Sequence, residues 1–186
     1  MSLAFSRRSF LKYSAVAAVA VAGASLFSGC ESQGDSYNLL KEGAGSMTIL
    51  QVTATMGTYN ETDKKYVAPE VTTSTTEIAF PFKVENGRTN PVYVTSDSFK
   101  VTVISKDGKT SKKYIATVDS DLKDTNLKKG NSSSGYVTVT GLSGLEEGGT
   151  VVLTYCPDLQ YNEYSLNWKL TVPAKKEESS GSTTTK

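Results

Sequence analysis

The sequence predicts a small all-β domain built as an antiparallel sandwich of about seven strands. Apolar and polar residues alternate with a period of two through much of the segment 46–173, as expected of strands that turn one face to a core. Clusters of Gly, Pro, Asn and Asp separate these stretches at short intervals. The segment has the scale of a two-sheet sandwich, which needs roughly 100 residues. A chain of 186 residues accommodates one such domain.

Two strands are predicted in the first half of this segment. Residues 47–56 alternate apolar with polar side chains, the pattern of a half-buried strand, and the apolar positions are Leu50, Val52, Ala54 and Met56. The most regular strand spans 77–85, where the apolar face consists of Ile78, Phe80, Phe82 and Val84. Pro81 lies within that strand and removes a backbone donor, which predicts an edge position or a bulge.

Turn signals alternate with extended segments in the second half. Gly, Asn and Pro cluster at 86–91, and Asp107-Gly108 predicts a tight hairpin turn. The polar segment 119–130 is predicted to be a loop. The strands predicted around these turns lie at 92–95, 99–103, 112–118, 136–142, 150–156 and 164–172.

The first 29 residues carry the pattern of an export signal. Ser6-Arg7-Arg8-Ser9-Phe10-Leu11-Lys12 precedes an apolar run over 13–27. That run is shorter than the roughly 20 residues that a membrane-spanning helix needs, so a cleaved signal is favoured over an uncleaved membrane helix. The paired arginines and the residues after them resemble the recognition motif of twin-arginine signal peptides, an address read by a receptor. The resemblance implies export of a domain that has already folded.

The end of this signal resembles a bacterial lipobox. Leu26-Phe27-Ser28-Gly29 precedes Cys30, and in a lipobox the cysteine receives a diacylglyceryl group and becomes the mature N-terminus. Phe27 departs from the leucine that is usual at its position. The resemblance implies that acyl chains on Cys30 anchor an exported protein to the outer face of a membrane, because each buried methylene contributes about 0.8 kcal/mol. A plain signal peptide that contains a cysteine is the alternative.

Polar segments flank the predicted domain. Residues 30–45 contain Ser, Gly, Gln and acidic residues with little apolar content, which predicts a lipidated tether, with Leu39 and Leu40 as residues that would dock on the domain. Residues 174–186 predict a disordered tail. The predicted organisation is therefore a signal peptide at 1–29, a tether at 30–45, a β-sandwich at 46–173 and a tail at 174–186.

Three segments of the domain resemble the immunoglobulin-like, telokin-like domains of secreted lipoproteins from Gram-positive bacteria. They read IAFPFKVEN at 78–86, PVYV through FKV at 91–101, and LKKG before GYVTV at 127–139. The resemblance implies an immunoglobulin-like sandwich and supplies no catalytic residues. The Cys-Trp-Cys spacing of the disulfide-bearing form is absent from the sequence.

Composition narrows the classes of function. The chain contains no histidine, which removes the commonest general base and the commonest transition-metal ligand. The formal net charge is +1, but Arg7, Arg8 and Lys12 lie in the predicted signal, where no acidic residue lies. The mature chain is therefore slightly acidic, and nucleic-acid binding is not expected. Since no set of residues in the sequence forms a recognisable catalytic or metal-binding motif, no enzyme activity, cofactor or metal is predicted.

Three smaller features invite chemical interpretations. The aspartates between 119 and 124 lack the spacing of an EF-hand, so a solvated acidic turn is favoured over a calcium site. Met47 and Met56 are interpreted as core residues rather than copper ligands. Cys156 has no electropositive neighbourhood in the sequence, so a partly buried structural residue is favoured over a reactive thiol.

The predicted function is that of a surface-anchored binding module for a protein, peptide or glycan partner. Tyr161 and Tyr164 are its candidate binding-loop residues, because tyrosines on loops offer rigid contact area at low entropic cost. The alternative for these tyrosines is packing over the end of the sandwich. An envelope enzyme or metal carrier without a recognisable motif, and a purely structural surface spacer, are the alternative functions.

Overall fold

The computed structural model describes residues 37–158 and 164–174, which form an all-β structure. No helix among these residues has the length and hydropathy needed to cross a membrane. The predicted all-β class is confirmed. The strands are β1 (Tyr37–Glu42), β2 (Gly45–Ile49), β3 (Val52–Met56), β4 (Thr58–Asn60), β5 (Lys65–Val67), β6 (Glu77–Asn86), β7 (Val92–Val94), β8 (Phe99–Ile104), β9 (Ser111–Ile115), β10 (Thr117–Val118), β11 (Asp124–Leu127), β12 (Ser132–Thr140), β13 (Thr150–Tyr155) and β14 (Tyr164–Thr171).

Most of these strands belong to two sheets of five. Sheet I has the order β1-β14-β13-β8-β9, and sheet II has the order β10-β12-β6-β3-β2. All pairings within them are antiparallel except that of β1 with β14, which is parallel. Two short ribbons, β7 with β11 and β4 with β5, complete the described structure. The sequence predicted about seven strands, because it did not separate the short strands that this architecture adds.

Aromatic rings fill the space between the two sheets. Phe82 of sheet II makes edge contacts with Phe99, Tyr155 and Trp168 of sheet I, at centroid separations of 5.0, 5.6 and 5.2 Å. Trp168 is fully buried, and its indole nitrogen donates a hydrogen bond of 2.8 Å to the carbonyl oxygen of Gly45. The sheets therefore share one core, and truncation of such an aromatic residue to alanine costs about 3–5 kcal/mol.

The segment 47–56, predicted to be one strand, is a hairpin. Val52, Ala54 and Met56 are buried on β3 as the alternation predicted, but Leu50 and Gln51 form a two-residue turn between β2 and β3. Both turn residues have positive φ, 51° and 61°. This is the conformation of a type I′ turn, which normally contains Asn-Gly or other residues that tolerate positive φ. The sequence carries no such signal, so the turn was missed.

Pro81 lies in an interior strand of sheet II, so the prediction of an edge or a bulge was wrong. The register between β6 and β12 runs without a break past the Pro81 and Tyr136 pair. The pairing of β6 with β3 ends at Met56 and Phe82, so Pro81, the neighbour of Phe82, has no partner within β3. The carbonyl oxygen of Pro81 accepts from the backbone nitrogen of Gly57 at 2.8 Å, so this residue faces the β3 side. The missing donor of Pro81 therefore faces Gly57, which directly follows the last residue of β3, so the β3–β6 ladder that ends at Met56 does not depend on it.

Residues 37–42 form β1 and correct the assignment of this part of the chain to the tether. Tyr37–Glu42 pairs in register with β14. The side-chain amide nitrogen of Asn167 donates to the carbonyl oxygen of Leu39 at 3.1 Å and to the hydroxyl of Ser165 at 3.1 Å. Ser165 also donates to the side-chain oxygen of Asn38. Backbone pairing and these polar bonds hold β1 to the sheet while residues 38–40 stay exposed, which explains why hydrophobic patterning did not reveal it.

The segment 119–130 contains a strand instead of being only a loop. Its residues 124–127 form β11, which pairs with β7. Leu122 and Leu127 are buried in the core. Two apolar residues in a polar segment gave too weak a pattern to predict a strand.

The segment 112–118 crosses between the sheets. Its first part belongs to β9 in sheet I, and its last two residues form β10 in sheet II. The hairpin between β8 and β9 is confirmed, but it closes over residues 105–110 rather than at a two-residue turn. The remaining predicted strands, at 77–85, 92–95, 99–103, 136–142, 150–156 and 164–172, are confirmed as β6, β7, β8, β12, β13 and β14.

Candidate functional site

The two ends of the sandwich differ in what they carry. The proximal end of the sandwich is the end where β1 and β14 begin, with Tyr37 paired to Tyr164. Three further strands have a terminal residue at this end, namely Phe99, Ile115 and Asn86. At the opposite, distal end β14 finishes at Thr171, which pairs with Thr150. The chain therefore enters the domain at one end and leaves β14 at the other.

Most of the predicted site residues lie outside the described residues. These are the export-signal residues 6–12, the lipobox residues 26–29, Cys30 and Tyr161. Tyr164 is described, and it is the first residue of β14, partly buried against the core. This partly buried position matches the packing that the sequence left as the alternative, and a binding role for Tyr164 stays a prediction.

A partly buried ion pair lies at the proximal end. The guanidinium Nη1 of Arg88 stands 3.1 Å from a carboxylate oxygen of Asp158, and both side chains are about four-fifths buried. Nη2 of Arg88 donates to the carbonyl oxygen of Pro91 at 3.4 Å. This ion pair links the 86–91 turn to the residues after β13. Because the two charges neutralise each other, the pair leaves no net charge to attract an ionic ligand.

Beside this pair, Tyr155 is fully buried among aromatic rings. Its ring stacks on that of Phe99 at 4.9 Å, and among the described residues neither its hydroxyl nor Nε of Arg88 has a hydrogen-bond partner. Burial raises the pKa of Tyr155, which the charge of Arg88 opposes in part. The hydroxyl therefore stays protonated near neutral pH and does not act as a general base.

Cys156 follows Tyr155 and is buried, as the sequence predicted for a structural residue. Its backbone nitrogen donates to the carbonyl oxygen of Ser98 at 2.8 Å. The hydroxyl of Ser98 in turn donates to the carbonyl oxygen of Tyr93 at 3.1 Å. This chain of contacts ties the 3-10 turn at Ser96–Ser98 to the end of β13 and gives the thiol a packing position.

The acidic segment that invited a calcium interpretation has a different role at Asp119. Its carboxylate accepts from the backbone nitrogens of Leu122 and Tyr136, each at 2.8 Å. The Asp124 carboxylate accepts from the backbone nitrogen of Asn126 at 2.7 Å. Within residues 37–158 and 164–174, no three Asp, Glu or Cys side chains gather as metal ligands would. The Asp119 carboxylate therefore joins the turn before β11 to the middle of β12, and the Asp124 carboxylate bonds within β11.

Met47 and Met56 lie on paired strands of sheet II. Met56 is fully buried, and Met47 is partly buried against the same core. Their packing explains both residues, in line with the core role that the sequence favoured over copper binding.

Sequence reasoning missed several exposed apolar side chains at the proximal end. Leu50, Tyr93 and Ile115 are 38%, 54% and 88% exposed. Lys128 and Lys129 are exposed on the turn between β11 and β12, directly before Gly130, whose nitrogen donates to the carbonyl oxygen of Asn86 at this end. The sequence assigned Leu50 and Ile115 to strands and could not place them on one end, because that placement follows from the register of both sheets.

A shallow groove of about 360 Å³ opens at the distal end. Glu42 and Lys169 form a salt bridge of 3.0 Å on one wall. Apolar residues of the segment before β6 and of the end of β14 complete it, including Pro69, Val71 and Leu170. The groove is a second candidate contact surface, and its lining includes the last residues of β1 and β14, at the end opposite to where these strands begin.

The described residues thus define an all-β protein whose two main sheets are mostly antiparallel. No family model matches the sequence, and no curated protein matches it. Among solved structures, the fold is similar to part of a "putative lipoprotein (ycdA)" from Bacillus subtilis, with 20% sequence identity and a TM-score of 0.43. That similarity covers 73% of this chain and 40% of the Bacillus subtilis chain, so the present chain spans less than half of that protein.

Proposed function

We propose that this protein is an exported lipoprotein whose immunoglobulin-like domain is a non-enzymatic binding module at the outer face of a membrane. The observation that carries the proposal is Cys30, which stands directly after the small residues Ser28 and Gly29 at the end of an apolar run. A twin-arginine pattern centred on Arg7 and Arg8 precedes that run. An export address and an acylation site in this order are expected of a lipid-anchored surface protein.

The strand order supports the immunoglobulin-like part of the proposal. In that fold one sheet has the order A-B-E-D and the other contains C, F and G. The order β3-β6-β12-β10 in sheet II and the order β8-β13-β14 in sheet I follow the same scheme. The large aromatic residue of the core differs in position, since Trp168 lies on β14, the counterpart of G, rather than on β8, the counterpart of C.

The chemistry of the candidate site supports binding rather than catalysis. The Arg88 and Asp158 charges are paired, and the hydroxyl of Tyr155 is buried with a raised pKa. A sequence without histidine leaves few residues for proton transfer at neutral pH. The distal groove offers a partner a surface with an apolar wall and one ion pair, and the proposed partner is a protein, peptide or glycan outside the cytoplasm.

The anchor is tested by replacing each of the two cysteines in turn. Cys30→Ala should release the protein into the medium and abolish incorporation of a clickable fatty acid. Cys156→Ala is the matched control, because this residue is buried in the folded domain, and this variant should stay on the membrane and keep its label. Labelling that persists in Cys30→Ala, or that disappears in Cys156→Ala while the domain remains folded, would overturn the anchor.

A further inference from the structure

Five exposed side chains at the proximal end have the chemistry of a membrane-contacting surface. The apolar and aromatic members are Leu50, Tyr93 and Ile115, and the basic members are Lys128 and Lys129. Together they are called the proximal surface. Tyrosine and aliphatic side chains settle at the boundary between headgroups and acyl chains, and lysines attract anionic headgroups.

Hydrogen bonds and register place these residues at one end. The carbonyl oxygen of Gln51, next to Leu50, accepts from the backbone nitrogen of Gly87 at 2.8 Å. The nitrogen of Gly130, which follows Lys129, donates to the carbonyl oxygen of Asn86 at 2.6 Å.

The other two apolar members are fixed to the same end by sheet I. Ile115 pairs with Lys100 beside the first residue of β8. The carbonyl of Tyr93 accepts from Ser98, whose own carbonyl bonds to the nitrogen of Cys156. Since Val92 and Val94 are buried, Tyr93 turns its side chain away from the core.

The backbone at Leu50 is strained. Leu50 and Gln51 both adopt positive φ, a conformation that is unfavourable for an L-residue with a Cβ. A leucine at the tip of such a turn also leaves an apolar side chain in water. Strain at an exposed apolar residue is a sign of function, because the turn would be more stable with Asn-Gly.

The length of chain before β1 indicates what the proximal surface meets. Residues 31–36 separate Cys30 from Tyr37, and at about 3.3–3.6 Å per residue they cannot hold the two Cα atoms more than about 25 Å apart. An acyl group on Cys30 therefore keeps Tyr37, at the proximal end, within about 25 Å of the membrane-anchored residue. The distal groove, at the other end, then faces away from the membrane.

We infer that the proximal surface rests on the headgroup layer of an anionic bilayer, with Leu50 and Tyr93 at the acyl boundary and Lys128 and Lys129 on anionic headgroups. This inference rests on the proposed acylation of Cys30. Asp97, on the 3-10 turn at the same end, is an acidic side chain that opposes the two lysines. The contact orients the distal groove toward partners outside the membrane.

The experiment uses the full acylated chain in vesicles of phosphatidylglycerol and phosphatidylethanolamine that carry a headgroup-attached spin quencher. A fluorescent probe is attached at Gln51→Cys in one sample and at Lys109→Cys, on the distal 105–110 loop, in the matched control. Buried Cys156 resists labelling, and the parent chain measures any background. A second pair of samples carries ten additional Gly and Ser residues after Gln33.

The inference predicts several-fold stronger quenching at position 51 than at position 109, and it predicts that this excess persists with the longer tether. In the Cys30→Ala background, which lacks the acylated cysteine, the single substitutions Lys128→Gln and Lys129→Gln should each lower the partition of the full chain into these vesicles about fivefold. Equal quenching at the two positions, or an excess that the longer tether abolishes, would overturn the contact. Mass spectrometry that finds no acyl group on Cys30 would instead overturn the anchor, and the partition measurement would still test the surface.

Discussion

Replacing Leu50-Gln51 by Asn-Gly should stabilise the domain. Both residues now adopt positive φ in the turn between β2 and β3, at a cost of about 1–2 kcal/mol each. Asn and Gly tolerate this region, but Gly also increases the entropy of the unfolded chain. The net gain expected is about 1–2 kcal/mol, which corresponds to a rise in Tm of roughly 3–8 °C for a domain of this size.

The assay is thermal and urea unfolding of the purified variant, followed by circular dichroism. Lys64 provides an independent check, since it has a φ of 52° in the β4–β5 loop, and Lys64→Gly should also stabilise, by up to about 1 kcal/mol. Lys109→Gly is the matched control, because Lys109 is an exposed loop residue without positive φ, and it should not stabilise. An unchanged or lower Tm for the Asn-Gly variant would refute the assignment of strain to this turn.

Four further predictions concern the core, a close backbone approach and the signal. Tyr155→Phe should raise the free energy of unfolding by about 1 kcal/mol, because it removes a buried hydroxyl without a partner among the described residues; a loss of stability in urea unfolding would show that the hydroxyl is bonded. Burial raises the pKa of Tyr155 above the ordinary 10.0, so above pH 10 this tyrosine ionises in the unfolded chain before it ionises in the folded one. The free energy of unfolding of the parent should therefore fall as pH rises above 10, by up to about 1.4 kcal/mol per pH unit, and Tyr155→Phe should lack this part of the loss. Gly135→Ala should cost about 1–3 kcal/mol, because its Cβ would lie 2.8 Å from the backbone nitrogen of Leu122 and against the Asp119 carboxylate; unchanged urea unfolding would contradict that crowding. Joint replacement of Arg7 and Arg8 by Lys should leave unprocessed precursor in the cytoplasm on immunoblots of cell fractions, and normal processing in a strain that lacks the twin-arginine translocase would indicate the general export pathway.

Strands with one buried face could be predicted from the sequence, because their pattern records burial directly. In β6, Phe80 and Val84 are fully buried while Lys83 and Glu85 are exposed, as the alternation indicated. The same alternation misled at Leu50, where the period of two continued through a turn. Nothing local distinguishes a strand from a hairpin when the turn lacks Gly, Asn or Asp.

Features that depend on pairing could not be predicted in the same way. β1 is held by parallel pairing with β14 and by the side chain of Asn167, partners more than a hundred residues away. Pro81 is tolerated in an interior strand only because β3 ends beside it. Such effects depend on where neighbouring strands stop, which the local pattern does not contain.

The candidate site likewise contains some features that are local in sequence and others that depend on strand pairing. The export signal and Cys30 are local motifs, so the sequence alone predicted them. The proximal surface combines Leu50, Tyr93 and Ile115 from separate strands and turns, and only the register of the two sheets brings them to one end. Tyr164 was placed in a strand by its alternating pattern, but its pairing partner Tyr37 could not be predicted from that pattern.

The most direct test of the whole account is mass spectrometry of the N-terminal peptide of the mature protein extracted from membranes. The account predicts that the peptide begins at Cys30 and carries a diacylglyceryl group on its sulfur. A mature chain that begins at another residue, or that begins at an unmodified Cys30, would contradict it.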